Sequence, residues 1–228
     1  MKFGELHALS DVTFEVQKGE VFGLAGPNGS GKTTLFNVIT GLVLGHGEVI
    51  LDSEKISGLK PHQICHKGIA RTFQIPAVFS TLTVKENVSV GAYFGAQLRH
   101  EREKVEEIID FIGLKGKLDV LAANLPLMER KQTMLAIALA TKPKILLLDE
   151  PLGGLSPTEI EFCLQLFGKV NKELNVTMII IEHLMRELMG VCDRLMILHY
   201  GKQIFLGPPT KVLEDSQVKQ VYLGERHA

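Results

Sequence analysis

The sequence predicts an α/β fold with a mostly parallel sheet and an inserted helical lobe, on three observations. Beyond residue 141, short apolar strands alternate with helical segments, the pattern that builds a parallel sheet with helices packed on it. Residues 145–148, Ile-Leu-Leu-Leu, are wholly apolar, as strands buried on both faces of such a sheet are. From about 76 to 140 the character is helical instead. That stretch reads as the insertion, about 77–141 of a single domain spanning 1–228.

The elements follow in order. Residues 12–16 read as a strand with a turn at Lys18 and Gly19, and 21–25 as a second strand running into a glycine-rich loop. Residues 32–40 read as a helix ending before Gly41, 47–55 as a short hairpin region, and 61–66 as a short helix opened by proline. Residues 69–73 read as a strand leading to Gln74. In 101–114, Val105, Ile108, Ile109 and Ile112 share one face with charges opposite. Ser156-Pro157-Thr158-Glu159 is a capping box with proline at the first helical position. The helix it opens aligns Ile160, Cys163, Leu164, Phe167 and Val170. Residues 177–181, 194–198 and 203–206 read as further strands.

Composition narrows the function classes. The formal net charge is −1, so no global basic field recruits nucleic acid or an anionic membrane. Three cysteines, Cys65, Cys163 and Cys192, lack CxxC spacing, which fits a reduced compartment. The amino terminus has no signal-peptide core. No apolar run approaches the ~20 residues that a membrane span requires.

The chemistry-bearing motif is Gly26-Pro27-Asn28-Gly29-Ser30-Gly31-Lys32-Thr33, followed by Thr34. It fits GxxxxGK followed by serine or threonine, a pattern that arises by chance in roughly one chain in a hundred of this size. The glycines let backbone wrap phosphate oxygens, and successive N–H groups with the next helix's N-terminus face the anion. Lys32 would reach the β- and γ-phosphates, and the Thr33 hydroxyl would ligate Mg²⁺. Two other strand ends point to the same ligand. Strand 145–148 delivers Asp149 and Glu150, and strand 177–181 delivers Glu182 and His183. Ligands of open α/β sheets sit at such carboxyl ends. Asp149 suits a Mg²⁺-organising role and Glu150 that of a general base or water-orienting group.

The succession of GPNGSGKTT, RTFQ at 71–74, ILLLDEP at 145–151 and EH at 182–183 resembles the ATP-binding subunits of ABC transporters. Within them it most resembles those of branched-chain amino acid transporters, through residues 61–92 and the tail ending VYLGE at 221–225. The resemblance implies a P-loop NTPase (RecA-like) core with an antiparallel β lobe and a helical lobe. Its activity would be ATP hydrolysis powering transport of a small solute, with ATP and Mg²⁺ bound. Gln74 would sense Mg²⁺ and the attacking water, and His183 would hold the γ-phosphate in register with Glu150. Phe3 would stack on adenine, and Leu155-Ser156 would lie in the loop crossing to the partner. Partners would be polytopic membrane permease subunits, a second ATP-binding subunit in a homo- or heterodimer, and a solute-binding protein. The chain would lie peripherally on the cytoplasmic face of the membrane.

Two departures accompany the resemblance. The family's LSGGQ signature falls at Leu125-Pro126-Leu127-Met128-Glu129, without the serine or either glycine. Pro126 has neither hydroxyl nor N–H to offer a phosphate. Relatives also carry about ten residues ahead of the aromatic, so either an edge strand is missing or the start lies upstream of Met1.

Other signals have plainer readings. His62 and His66 stand at i and i+4 as in metal-binding helices, but Gln63 replaces the protease glutamate and no third ligand is evident. Cys163 on an apolar face reads as packing, and the charges of 101–107 as a solvated helix face. Rival functions are a non-transport ABC ATPase and a catalytically weak nucleotide-binding partner in a heterodimer. A GTPase lacks support without an NKxD motif.

Overall fold

The computed structural model describes residues 2–3, 6–95 and 102–223, with side chains placed for 8–95 and 104–222. In chain order the elements open with β1 (Lys2–Phe3), β2 (Leu6–His7), β3 (Val21–Ala25), α1 (Lys32–Ile39), β4 (Ile50–Leu51) and β5 (Glu54–Lys55). Then come α2 (Pro61–Lys67), β6 (Ile69–Thr72), α3 (Val84–Phe94), α4 (Arg102–Phe111), α5 (Leu127–Ala140) and β7 (Ile145–Asp149). The chain continues through α6 (Pro157–Leu174), β8 (Thr177–Ile181), α7 (Met185–Met189), β9 (Arg194–His199), β10 (Lys202–Gly207), α8 (Pro209–Val212) and α9 (Ser216–Leu223). Two compact units divide it, Met1–Pro61 with Thr177–Ala228, and His62–Val176.

In the first unit the strands run in the order β10-β9-β3-β8. The central β3 is buried throughout and pairs in parallel with both neighbours, Phe22 opposite Ile179 and opposite Arg194. Strand β9 returns antiparallel as β10 through Tyr200 and Gly201 at φ 44° and 72°. Two positive φ values in succession are what a two-residue hairpin needs. Asp52 and Ser53, at 49° and 67°, close the β4–β5 hairpin in the same way. Phe22, Leu24, Phe36, Ile181 and residues 195–198 form the core, each fully buried.

In the second unit β6 and β7 pair in parallel, Ile69 opposite Ile145 and Thr72 opposite Leu148. Helices α3, α4 and α5 pack on one another, and α5 also packs on β6. The α3–α5 contact is close because Gly91 has no side chain; a Cβ there would lie 2.3 Å from the Ile137 carbonyl oxygen. The capping box of α6 is present, with the Glu159 carboxylate accepting from Ser156 N–H and Oγ at 2.7 Å each.

Three readings of the sequence need correction. Residues 12–16 alternate half-buried and exposed but join no strand ladder. Phe14 stacks on Phe22 at 5.3 Å, while the Glu15 carbonyl accepts from the Arg194 guanidinium instead of a neighbouring strand. Residues 76–83 are not helical. Asn87, fully buried on α3, accepts from Phe79 N–H at 2.8 Å and donates to Phe79, Leu82 and Thr83 carbonyls, holding that segment as a turn. On α6, Leu166 is buried while Ile160 and Leu164 are only half-buried.

Candidate nucleotide site

In the first unit, β3 ends at Gly26 and α1 begins at Lys32, so the loop between them hangs on a buried strand and a helix N-terminus. Its backbone needs glycine at two points. Gly26 has φ 151°, and a Cβ there would lie 2.1 Å from the Leu198 carbonyl oxygen. Gly31 has φ 105°, and its Cβ would lie 2.4 Å from the Ala8 carbonyl oxygen. Both conformations are ones that L side chains rarely adopt.

The loop has the properties of an anion cradle. Gly31, the N-cap of α1, offers no side-chain cap, and no acidic residue stands in the first turn, the arrangement of a helix N-terminus suited to an anion. Ser30 Oγ is buried without a hydrogen-bond partner. Buried Lys32 turns its Nζ back onto the loop, donating to Gly26 O at 2.8 Å and Pro27 O at 3.0 Å. Asn28 and Gly29 are exposed, as is Thr33, and Thr34 is half-buried. A phosphate oxygen is an acceptor that suits the buried Ser30 hydroxyl. Tyr222 of α9 also reaches this loop: burial pushes its phenol up to about 12, against a hydrogen bond with the Gly26 backbone.

At the end of β8, Glu182 is fully buried, and His183 Nδ1 lies 3.8 Å from its Oε2 with half of the imidazole side chain exposed. Phe3 lies in β1, but its side chain is outside the described residues. So is the end of the 221–225 tail.

The second unit brings together Gln74, Asp149 and Glu150. Gln74 Nε2 donates to Glu150 Oε2 at 2.7 Å, leaving its amide oxygen outside that bond. Glu150 stands at φ 46°, a left-handed conformation that costs a non-glycine residue about 1–3 kcal/mol and concentrates at functional sites. Its carbonyl faces buried Lys131 Nζ at 3.4 Å. Asp149, almost wholly buried, accepts from Arg71 Nη2 through Oδ2 at 2.6 Å. Within this unit the carboxylate of Asp149 and the amide oxygen of Gln74 are hard oxygen donors, the chemistry that Mg²⁺ takes.

Sequence reasoning missed the Arg71–Asp149 pair and the reach of Lys131. A signal for the first was available: a charged residue inside the short strand Ile-Ala-Arg-Thr is buried only when paired. The signature segment offers no site by itself. Pro126 is the N-cap of α5, Leu127 is 41% exposed, and Met128 Sδ lies 3.7 Å from Cys163 Sγ.

Comparison with known proteins matches the fold and the loop together. The ABC transporter family model matches residues 9–153. A high-affinity branched-chain amino acid transport ATP-binding protein, BraF of Pseudomonas aeruginosa, is 35% identical over 99% of this chain and 95% of its own. A lipopolysaccharide export system ATP-binding protein, LptB of Haemophilus influenzae, is 38% identical over 96% of this chain and 91% of its own. The ADP conformation of MJ1267, an ATP-binding cassette of an ABC transporter, superposes with a TM-score of 0.88 at 32% identity, covering 99% of this chain and 96% of that one. A dimeric post-hydrolysis state of the cassette MJ0796 with ADP and phosphate gives 0.80 at 28% identity, covering 92% and 94%. The chain belongs to the ABC transporter family, as an ATP-binding subunit whose ATPase activity is coupled to transport.

Proposed function

We propose that residues Gly26 to Thr34 cradle the phosphates of ATP and that the chain splits the γ-phosphate by in-line attack of water. The observation that carries this reading is the loop itself, with its buried Ser30 hydroxyl and a lysine ammonium resting on its own carbonyls. Lys32 would exchange those carbonyls for β- and γ-phosphate oxygens, and the loop amides would stabilise charge that develops in the transition state. Thr33 and Asp149 would hold Mg²⁺, Asp149 through water, with the Gln74 amide oxygen as a further donor. When bound, that ion neutralises phosphate charge. Glu150 would take the proton of the attacking water, released from the Gln74 amide on which it rests, and His183 would keep the nucleophile in register. Phe3 would stack on adenine.

Transport of branched-chain or related amino acids is the finer reading, supported by the likeness to BraF. The chain would dock peripherally on the cytoplasmic face against permease subunits supplied by a solute-binding protein. No helix among the described residues is long and apolar enough to cross a membrane. The helical lobe at about 77–141 would pass motion to those subunits. The likeness to LptB favours a second reading, a lipid-export complex. Identification of the membrane subunits that co-purify with the chain separates the two.

The chemical reading is tested by Glu150→Gln. The variant keeps the wild-type ATP dissociation constant and loses turnover by at least ~10³-fold, within the range of general-base contributions. Turnover equal to wild type removes Glu150 as the base.

A further inference from the structure

We propose that Arg71 is a positioning residue that holds Asp149 for the metal and limits how tightly the site binds a divalent cation. The inference rests on the nucleotide reading above. It starts from strand register. Arg71 on β6 pairs with Leu147 on β7, so Asp149 stands on the same face, one pleat further along. A long side chain spans that diagonal, and Nη2 meets Oδ2 at 2.6 Å. Both side chains are nearly inaccessible, at 6% and 5%.

Stability does not account for such a pair. Two charges withdrawn from water gain little over well-packed apolar residues of the same volume, and the three positions of β7 before Asp149 are leucine. What the pair does supply is geometry and charge. The bond engages Oδ2 and leaves Oδ1 outside it, and a planar, always-charged guanidinium fixes the carboxylate better than a point charge does. Arg71 is itself held from a second side, its guanidinium carbon 5.0 Å from the Phe73 ring centroid. A permanent cation beside the metal-holding carboxylate also opposes a second cation there. Arg71 therefore orients Asp149 while weakening metal retention.

The test uses Mn²⁺ as the probe, its binding to the full chain followed by electron paramagnetic resonance with saturating ADP. Arg71→Gln removes the charge, and the Mn²⁺ dissociation constant falls at least ~tenfold while ATP turnover also falls at least ~tenfold. Arg71→Lys keeps the charge and the buried pair but not the planar guanidinium. Its Mn²⁺ affinity stays within about threefold of wild type while its turnover drops. Unchanged or weaker Mn²⁺ binding in Arg71→Gln overturns the inference, as does wild-type turnover in Arg71→Lys. Mn²⁺ and ADP binding that Lys32→Ala leaves at the wild-type level overturns the nucleotide reading instead.

Discussion

At the scale of single residues, the site is built from groups held in conformations that a stable core would not choose. Lys32 is buried with its ammonium on two backbone carbonyls, partners that the proposed function has it exchange for phosphate. Lys32→Ala removes the charge-assisted bonds, and the ATP dissociation constant measured by calorimetry rises at least ~hundredfold, an expected loss of about 3 kcal/mol. Glu150 holds a left-handed backbone between Gln74 and Lys131. Burial sets the cysteines apart from this chemistry: the Cys192 thiol is pushed up to about 12 and Cys65 is raised. A nucleophile needs the opposite shift.

At the scale of elements, most of the fold was legible in the sequence because burial and backbone pairing coincide. Strands 145–148 and 177–181 read correctly since a wholly apolar run has no other stable place. Residues 12–16 carry the strand alternation, yet the Glu15 carbonyl goes to the Arg194 side chain, which periodicity does not report. Residues 76–83 hid a start signal of their own. Thr83-Val84-Lys85-Glu86 is a capping box, with Thr83 N–H donating to Glu86 Oε2 at 2.8 Å, and it marks where the helix begins. The loop at 26–34 was legible because its chemistry is local in sequence. Arg71 and Asp149 are 78 residues apart, and only strand register makes them neighbours. The contact of α3 with α5 gives a prediction at this scale. Gly91→Ala must displace the Ile137 carbonyl, so urea unfolding falls by about 1–3 kcal/mol, as overpacking costs.

At the scale of the whole molecule, the segment Leu125 to Glu129 gives a prediction about the partner that the chain would need. Solved relatives include a dimer holding ADP and phosphate, and the resemblance implies that the signature of one subunit would oppose the nucleotide of the other. Here that segment presents Pro126 and an exposed Leu127, with no hydroxyl for a phosphate. We predict slow turnover for the chain alone and a rise of at least ~tenfold when a related subunit with an intact LSGGQ is added, because one restored donor set is worth that much or more. Equal rates with and without that subunit would count against a dependence on the partner's signature. Phosphate release by the chain assembled with its native membrane subunits is the most direct test of the nucleotide site. Mg²⁺-dependent ATP turnover is expected, and Lys32→Ala in this chain abolishes or at least halves it; no turnover in the wild-type assembly, or the same rate with Lys32→Ala, contradicts the assignment.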